Sequence, residues 1–512
     1  MQSGLIVSSM TMLSRVLGLA RDVVFAHTIG AHAGADAFFV AFKIPNFLRR
    51  LFAEGAFAQA FVPVLSEYRQ KGSYAAIRGL IDRVCGCLAL TLFSLTLVVV
   101  LAAPMVTFVF APGFWDQPEK FALTEEMLRI TFPYLLLISL TGFAGAILNS
   151  YDRFAVPAFT PVLLNLCLIS AAVWASPYFA QPVIAIAWGV LVAGCVQLAF
   201  QIPFLWKIHL LPAPKIDFKD SGVKKVLCLM APAIFGVSVS QINLMLDTVL
   251  ASFLPTGSVS WLYYSDRLVE LPLGTFAIAI ATVILPSLSR QHTSDNKEKF
   301  NKTMDWALRW ILLIALPAAV ALMILSQPIL TVLFEYGKTT ASDTAMSSLS
   351  LKAYALGLLA FMLIKVLAPG YFARQDMKTP VKIGIIAMGI NMLFNIALVI
   401  PFHYLWQIGH VGLALATSLS AFINAALLYR GLRQSGVYQP IKGWGVYLLR
   451  LLIANAAMAA VLLASLVVVA DWSDLLLWER IMTMVMVCAV GLLVYLLSLL
   501  IIGVRLQHVK LR

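Results

Sequence analysis

The chain has 512 residues, of which 61% are hydrophobic and only 12% carry a charge. Soluble globular domains are charged at about a quarter of their positions, so the composition excludes an ordinary soluble protein. A membrane-spanning helix needs about 20 apolar residues, which leaves room for roughly a dozen or more spans but for no large domain outside the membrane. These numbers predict an all-α polytopic membrane protein.

Apolar segments, separated by polar residues, prolines and glycines, predict 14 transmembrane helices. The second segment carries charges that a helix facing lipid would not keep. In chain order the segments run over residues 2–28, 35–67, 79–111, 122–150, 156–176, 182–208, 222–254, 258–288, 304–335, 345–373, 380–402, 408–432, 444–470 and 477–504.

The basic residues predict the orientation, because lysine and arginine are enriched in cytoplasmic loops. With a cytoplasmic N-terminus, 25 of the 37 basic residues fall in inner loops, and 5 fall in outer loops or near outer helix ends. An even number of spans then places both termini in the cytoplasm. The net charge of +13 follows from this topology, so no nucleic-acid partner is needed to explain it.

A sequence repeat recurs at an offset of about 223 residues. FVPVLSEYR at 61–69 aligns with ILPSLSRQH at 284–292, and YDRFAVPAF at 151–159 aligns with RQDMKTPVK at 374–382. In each pair, one proline lies at the same position. The repeat predicts two pseudo-symmetric six-helix lobes around a central cavity, one formed by helices 1 to 6 and the other by helices 7 to 12.

The repeat also predicts the domain boundaries. We expect residues 1–220 to form the N-lobe, residues 221–436 to form the C-lobe, and residues 437–512 to hold helices 13 and 14, which stand outside the repeat. Because each lobe contains an even number of helices, both have the same orientation and are related by an axis along the membrane normal.

A group of basic residues remains within the predicted spans, where each costs about 2.5 to 3.5 kcal/mol and usually faces a water-filled cavity or a partner. Most of the group lies in helices 1 and 2 or in helix 8, the repeat partner of helix 2. The clustering predicts a cationic cavity between the lobes, although Lys365, near the inner end of helix 10, has snorkelling as an alternative. The group consists of Arg15, Arg21, Lys43, Arg49, Arg50, Arg267 and Lys365.

Helical spacing places several of these charges on one stripe of helix 2. Arg49 lies about 100° from this stripe, and Pro45 is expected to bend the helix nearby. The residues of the stripe are three, four or seven positions apart, and they are Asp36, Lys43, Asn46, Arg50 and Glu54.

Helix 8 carries a similar group, which consists of Asp266, Arg267 and Glu270. Arginine outnumbers lysine among the charges within these spans, and its planar guanidinium binds phosphate oxygens through two parallel hydrogen bonds. The set therefore suits a diphosphate. Alternatively, the charges pair internally and hold the lobes together, for example Arg267 with Glu270 or Arg21 with Asp22.

A second candidate site is a cation site built from oxygen ligands. Asn391 and Asn395 lie one turn apart in helix 11, Thr417 follows in helix 12, and Asp247 is the acidic residue in the middle of helix 7. Such ligands suit a hard monovalent cation such as sodium. The alternative is that the two asparagines only form hydrogen bonds between helices.

Signatures of enzymes are missing from the sequence. It has no nucleotide-binding GxxxxGK[ST] motif and no zinc-protease HExxH motif, and its 7 histidines are scattered. The 6 cysteines lie in apolar stretches without the spacing of a zinc site. We therefore expect a transporter that is not an enzyme and needs no cofactor beyond the candidate sodium ion.

Long segments of the chain resemble one known family. We find a close resemblance to the MurJ (MviN) family of lipid II flippases, within the multidrug/oligosaccharidyl-lipid/polysaccharide exporter superfamily, in SSMTMLSRVLGLARD, DAFFVAFKIPNFLRRLFAEGAFAQAFVPVLSEY, GSVSWLYYSDRLVELPLG and KVLAPGYFARQDMKTPVK. The resemblance runs from helix 1 to helix 12, and the two additional helices also match. It implies two lobes around a cavity and a groove for a polyprenyl tail formed by helices 13 and 14.

The resemblance implies a function in peptidoglycan synthesis. Members of this family move lipid II, an undecaprenyl-diphosphate-linked disaccharide-pentapeptide, from the inner to the outer leaflet of the bacterial cytoplasmic (inner) membrane. The implied partners are lipid II, membrane lipids and proteins of cell-wall synthesis. The family's essential cavity arginines match Arg15, Arg21, Arg49 and Arg267, and its acidic position in helix 2 matches Asp36.

Some members of the family have a sodium site, which by position involves Asp247, Asn391 and Asn395 here. Two other functions compete with lipid II transport. An exporter of another polyprenyl-linked glycan or of a small molecule would share the repeat, but twelve helices normally suffice for a drug exporter, and a cavity rich in arginine is poorly suited to cationic drugs. A scaffold for cell-wall enzymes would need no polar cavity.

Overall fold

A computed structural model of the chain describes residues 2–50, 57–293, 296–469 and 472–504. The side chains of residues 2–8, 71, 233, 235–237, 239, 240 and 293 are not described. In these ranges the chain forms α-helices, with short 3-10 and π-helical segments and no β-strand. This confirms the predicted all-α class. Glu54, predicted on the stripe of helix 2, lies outside the described residues.

The chain divides into two compact units, residues 1–260 and 261–512. The first unit contains α1 (Gln2–Ile29), α2 (Ala33–Arg49), α3 (Phe57–Lys71), α4 (Tyr74–Leu101), α5 (Ala103–Phe110), α6 (Pro118–Thr131), α7 (Tyr134–Ser150), α8 (Ala155–Ser170), α9 (Pro182–Lys207) and α10 (Ser221–Ser252).

The second unit begins within α11 (Ser258–Pro272), whose first three residues belong to the first unit. Its other helices are α12 (Ile278–Thr293), α13 (Lys297–Ile324), α14 (Ser326–Phe334), α15 (Ala341–Phe372), α16 (Lys378–Trp406), α17 (Gly409–Gln434), α18 (Trp444–Val468) and α19 (Leu477–Ile501).

Eleven helical stretches of the described residues are long and apolar enough to cross a membrane. They correspond to the predicted segments other than the first, the second and the seventh, which the structure forms as α1, as α2 with α3, and as α10. The protein is therefore a polytopic membrane protein, as predicted. The full number of fourteen spans stays a prediction.

Some predicted helices are divided in two by a short break. The third predicted segment forms α4 and α5, with the break at Ala102 and Pro104 in the first turn of α5. The ninth forms α13 and α14, with the break at Leu325 and Pro328 in the first turn of α14. Proline lacks a backbone N–H and suits the first turn of a helix, so each proline favours a new helix start.

The predicted repeat reappears in these boundaries. Ala102 and Leu325, at which the two helices break, are 223 residues apart. The starts of α6 and α15 are separated by the same 223 residues, and so are the starts of α8 and α16. The two halves of the sequence therefore share several helix starts and one helix break, although α15 lacks the break that separates α6 from α7.

The first unit includes α10, although the sequence repeat assigns this helix to the second half. Val223, Val226 and Met230 of α10 share a buried core with Phe61 of α3 and Leu80 of α4. Apolar side chains at every third or fourth position produce this contact face. The packing therefore completes the first unit only after α10.

The linker before α10 is tied to α4. Asp82 accepts hydrogen bonds from Ala213 N at 2.8 Å and, through its backbone carbonyl, from Lys215 N at 3.0 Å. Gly86 permits this approach, since a Cβ at its position would lie 2.2 Å from the backbone oxygen of Lys215. Glycine is needed here because the two backbones meet.

Candidate functional site

Asp36, near the start of α2, is a buried carboxylate with 1% of its surface exposed. One of its oxygens accepts hydrogen bonds from Lys120 Nζ at 3.0 Å and from Gly257 N at 2.7 Å. The other accepts from Ser260 N at 2.9 Å and from Ser260 Oγ at 2.6 Å. Lys120 is also buried, and its Nζ lies 4.1 Å from the ring centre of Phe114. Asp36 therefore joins α2 to α6 and to the first turn of α11.

The second unit has a related contact at equivalent positions. Trp261 is the fourth residue of α11, as Asp36 is of α2, and Asp343 is the third residue of α15, as Lys120 is of α6. Trp261 Nε1 donates a hydrogen bond to Asp343 Oδ1 at 3.0 Å. The same joint is thus an ion pair in the first half of the chain and a hydrogen bond from a neutral indole in the second.

Arg21 of α1 is buried and held by three polar contacts. Its Nε and Nη2 donate to Asp22 Oδ1 at 3.0 and 2.7 Å, and its Nη1 donates to Asn165 Oδ1 on α8 at 3.0 Å. The guanidinium carbon lies 5.7 Å from the centre of the Phe25 ring. The amide of Asn165 in turn donates to the backbone oxygen of Ser14 at 3.0 Å. These contacts fix the guanidinium against both α1 and α8.

The C-terminal half of α2 presents the other polar residues of the predicted stripe. Lys43, Asn46 and Arg50 are half-buried, as is Arg49, whose Nε donates to Asn46 Oδ1 at 3.1 Å. Arg15 is half-buried on α1. The structure thus separates the stripe into a buried acid at one end and partly exposed, mostly basic side chains at the other.

The predicted group of helix 8 lies on one face of α11. Tyr263, Asp266, Arg267 and Glu270 are half-buried, and their spacing of three, four and seven residues places them on the same side of the helix. Arg267 Nη1 donates to Glu270 Oε2 at 2.7 Å, and its guanidinium carbon lies 4.8 Å from the centre of the Tyr263 ring. The side chain of Arg267 keeps 32% of its surface exposed and that of Glu270 keeps 41%.

Both internal pairs that the alternative interpretation named are present in the structure. Arg21 pairs with Asp22, and Arg267 pairs with Glu270, each at 2.7 Å. They differ in access, because Arg21 is buried whereas Arg267 is partly exposed. Internal pairing thus restrains both arginines, and the side chain of Arg267 remains partly exposed.

The residues of the candidate cation site are distributed over three helices. Asn391 and Asn395 are both 1% exposed on α16, and Ser420 Oγ of α17 donates to Asn391 Oδ1 at 3.4 Å. Thr417, also on α17, donates to the backbone of its own helix. Asp247 is half-buried on α10. Among the described residues no group of three or more His, Cys, Asp or Glu side chains suits a metal ion.

Within the second unit, a buried acid ties the segment before α18 and the start of α18 to α13. Asp305 of α13 is 2% exposed and accepts hydrogen bonds from Tyr438 Oη at 2.9 Å, from Trp444 Nε1 at 2.7 Å and from Ile441 N at 3.3 Å. Its other oxygen pairs with Arg309 Nε at 2.9 Å. Burial, and then the neighbouring Asp305, raise the pKa of Tyr438 above the usual range of a phenol, so its hydroxyl remains a donor.

Three of these residues were not singled out from the sequence. Asn165 had a signal, since it is the one amide in the apolar segment 156–176. Lys120 and Asp305 had none, because they lie near predicted helix ends, where charged residues are ordinary. Their long-range partners follow only from the fold.

Comparison with known proteins identifies the family. A family model described as "Lipid II flippase MurJ" matches residues 25–483. A "Probable lipid II flippase MurJ" of Vibrio cholerae is 51% identical, over 100% of this chain and 97% of the relative. The chain belongs to the MurJ family. A "Lipid II flippase MurJ" of Burkholderia cenocepacia is 43% identical, over 90% of this chain and 88% of the relative.

Solved structures agree with this assignment. A MurJ structure described as an "inward closed conformation" superposes with a TM-score of 0.78 at 30% identity, over 96% of this chain and 98% of that one. An inward-facing MATE transporter of the MOP superfamily has a TM-score of 0.68 at 14% identity, over 85% of this chain and 98% of that one, which shows a shared fold alone. The resemblance found in the sequence is confirmed. Because MurJ proteins are named as flippases, which are transporters, the expectation that the chain is not an enzyme is confirmed as well.

Proposed function

We propose that this MurJ family member moves lipid II from the inner to the outer leaflet of the bacterial cytoplasmic membrane for peptidoglycan synthesis. The observation that carries the proposal is its 51% identity, over the whole chain, to a relative named for lipid II flipping. The arginines on α1, α2 and α11 give it a chemical basis, because lipid II carries a diphosphate between its sugar and its polyprenyl tail.

In this proposal the diphosphate binds to the arginines. Arg267 is the leading contact, since its guanidinium is partly exposed and already oriented by Glu270. Arg15 and Arg49 are half-buried and contribute further positive charge. Arg21 is buried and held on Asp22 and Asn165, so it acts by its charge and by fixing α1.

The remaining polar residues of the predicted site have supporting roles. Lys43 and Arg50 add cationic contacts, Asn46 orients Arg49, and Asp266 lies beside Arg267 on the same face of α11. Asp36, buried on Lys120, joins helices rather than contacting the lipid. Glu54 completes the stripe by its spacing alone.

Transport proceeds by alternating access in a chain with 14 spans. Residues 1–220 and 221–436 form the two six-helix lobes, which rock about the cationic cavity, and residues 437–512 supply the groove for the polyprenyl tail. The recurrence of helix starts at an offset of 223 residues supports equivalent lobes. The distribution of basic residues supports cytoplasmic termini.

Replacing Arg267 by alanine is expected to abolish lipid II transport while folded protein remains in the membrane. The change removes a charge-assisted contact to a desolvated anion, and lysine should restore it only in part because it lacks the planar fork. Outer-leaflet lipid II, measured in cells that depend on the variant, reports the effect. Arg433→Ala is the matched control, since Arg433 also lies four residues after a tyrosine. Normal outer-leaflet lipid II with Arg267→Ala would refute the site.

A reversible disulfide between the first turns of α2 and α11 is expected to stop transport. Asp36 already accepts hydrogen bonds from Gly257 and Ser260 at this place. Two cysteines placed at other positions of the same two turns would hold the contact closed until the disulfide is reduced. Flipping is measured in vesicles before and after reduction, with each single cysteine as control. Unchanged flipping with the bridge fully formed would exclude rocking about this contact.

Sodium at Asp247, Asn391, Asn395 and Thr417 is the proposed coupling ion. A proton on Asp247 is one alternative, and the membrane potential is another, worth about 2.3 kcal/mol per charge per 100 mV. We expect both removal of sodium and Asp247→Asn to slow flipping in vesicles at a fixed potential. If neither changes the rate, these four residues have only a structural role.

The alternative function is export of another polyprenyl-linked glycan or of a small molecule. The fold shared with the MATE transporter is compatible with this alternative. The full-length relatives, however, are named as lipid II flippases. Purified protein that binds a different polyprenyl diphosphate sugar more tightly than lipid II would favour it.

A further inference from the structure

The partly exposed face of α11 holds Arg267 between two neighbours on its own helix. The Tyr263 ring lies one turn before Arg267, with its centre 4.8 Å from the guanidinium carbon. The Glu270 carboxylate lies one turn after it and accepts a hydrogen bond from Nη1 at 2.7 Å. Both contacts come from i−4 and i+3 positions, so they require no neighbouring helix.

The two contacts restrain the guanidinium in different ways. A carboxylate that meets one nitrogen fixes a distance but leaves the plane of the guanidinium free to turn about that bond. An aromatic ring within about 6 Å attracts the cation through its negative face and so limits how far the plane of the guanidinium turns. The ring therefore restricts the orientation that matters for a bidentate contact with phosphate.

We propose that Tyr263 is a positioning residue that presents the guanidinium edge of Arg267 to the diphosphate of the transported lipid. This role rests on the proposed function, because it needs a phosphate ligand at Arg267. A flexible arginine loses side-chain freedom when it binds, and holding it beforehand lowers that cost. Tyr263 thus contributes to affinity without touching the lipid itself.

The chain offers a matched control in the same unit. Tyr429 and Arg433 of α17 have the same spacing of four residues, and the guanidinium carbon of Arg433 lies 5.9 Å from the Tyr429 ring centre. Neither belongs to the face of α11. Tyr429→Leu therefore removes the same type of contact, in the same order along a helix, away from the site.

The experiment measures the binding of purified lipid II to the full-length protein in detergent. We expect Tyr263→Leu to weaken binding by about 3- to 30-fold and Tyr263→Phe, which keeps the ring, to change it by less than about twofold. Tyr429→Leu should bind like the wild type. A cycle with Arg267→Lys should be non-additive, because lysine has no planar fork for the ring to orient.

A series of fluorinated phenylalanines at position 263 keeps the test decisive if Tyr263→Leu does not fold. Fluorine withdraws charge from the ring face without changing its shape much, so affinity should fall with each added fluorine. Affinity that stays constant through the series overturns the positioning role. If Arg267→Ala itself binds lipid II like the wild type, the failure belongs to the proposed function and not to Tyr263 alone.

Discussion

Replacing Asp36 by alanine is expected to lower the free energy of unfolding by about 3 to 5 kcal/mol, the usual cost of breaking a buried ion pair from one side. The variant leaves Lys120 Nζ buried without its anion and leaves Gly257 N, Ser260 N and Ser260 Oγ without their acceptor. Thermal unfolding in detergent measures the loss. We expect transport to fall with it, because the joint of α2, α6 and α11 opens.

Two further variants separate the charge from the packing. Asp36→Ala combined with Lys120→Met should recover much of the stability, since removing both charges leaves no unpaired ion. Glu125→Ala on α6 breaks a more exposed pair with Arg129 and should cost no more than about 1 kcal/mol. If Asp36→Ala unfolds like Glu125→Ala, the buried network does not stabilise the protein.

Asp305→Ala is expected to have an effect of the same size, about 3 to 5 kcal/mol, in the second unit. It removes the acceptor for Tyr438, Trp444 and Ile441 and the partner of Arg309. Because these donors lie in the segment before α18 and at its start, we expect α18 and α19 to loosen from α13. Labelling of a cysteine placed at Met458, which is 3% exposed on α18, should become fast.

The same helix supplies the control for Asp305. Glu298 and Lys302 form an ion pair with the spacing of Asp305 and Arg309, but Glu298 is 79% exposed, so Glu298→Ala should leave the melting temperature unchanged.

Raising the pH is a second check of the contact between Tyr438 and Asp305. The folded state raises the pKa of Tyr438, so its contribution is complete below the unfolded value of about 10 and is lost only as the pH rises towards the folded value. If the wild type already loses the contribution of the Tyr438–Asp305 contact to its stability at neutral pH, the raised pKa of Tyr438 is contradicted.

Local contacts were predictable from the sequence and distant ones were not. Arg267 and Glu270 are three residues apart, so helical spacing alone proposes their pair, and Arg21 and Asp22 are neighbours in the sequence. Asp36 and Lys120 are 84 residues apart. Spacing placed Asp36 with the basic stripe of its own helix, whereas the fold brings α6 and the start of α11 over it and buries it.

The same limit applies to the helices. Hydrophobic segments located the helices because apolar length is a property of the local sequence. The breaks at Ala102 and Leu325 were not predicted, although both prolines were visible, because proline can also continue a membrane helix when its neighbours satisfy the backbone. The grouping of α10 with the first unit depends on a core shared with α3 and α4, which no single segment reveals.

The placement of α10 has a consequence for how the protein is synthesised. The ribosome has synthesised the first of the two repeats when it reaches residue 220. The apolar face of α3 and α4 that packs against Val223, Val226 and Met230 stays exposed until α10 has been synthesised. A nascent chain at that stage therefore exposes an apolar surface. If the gene is split to express two fragments, a cut after residue 260 therefore gives an N-terminal fragment that keeps this core and the partners of Asp36, whereas a cut between the repeats separates α10 from α3 and α4.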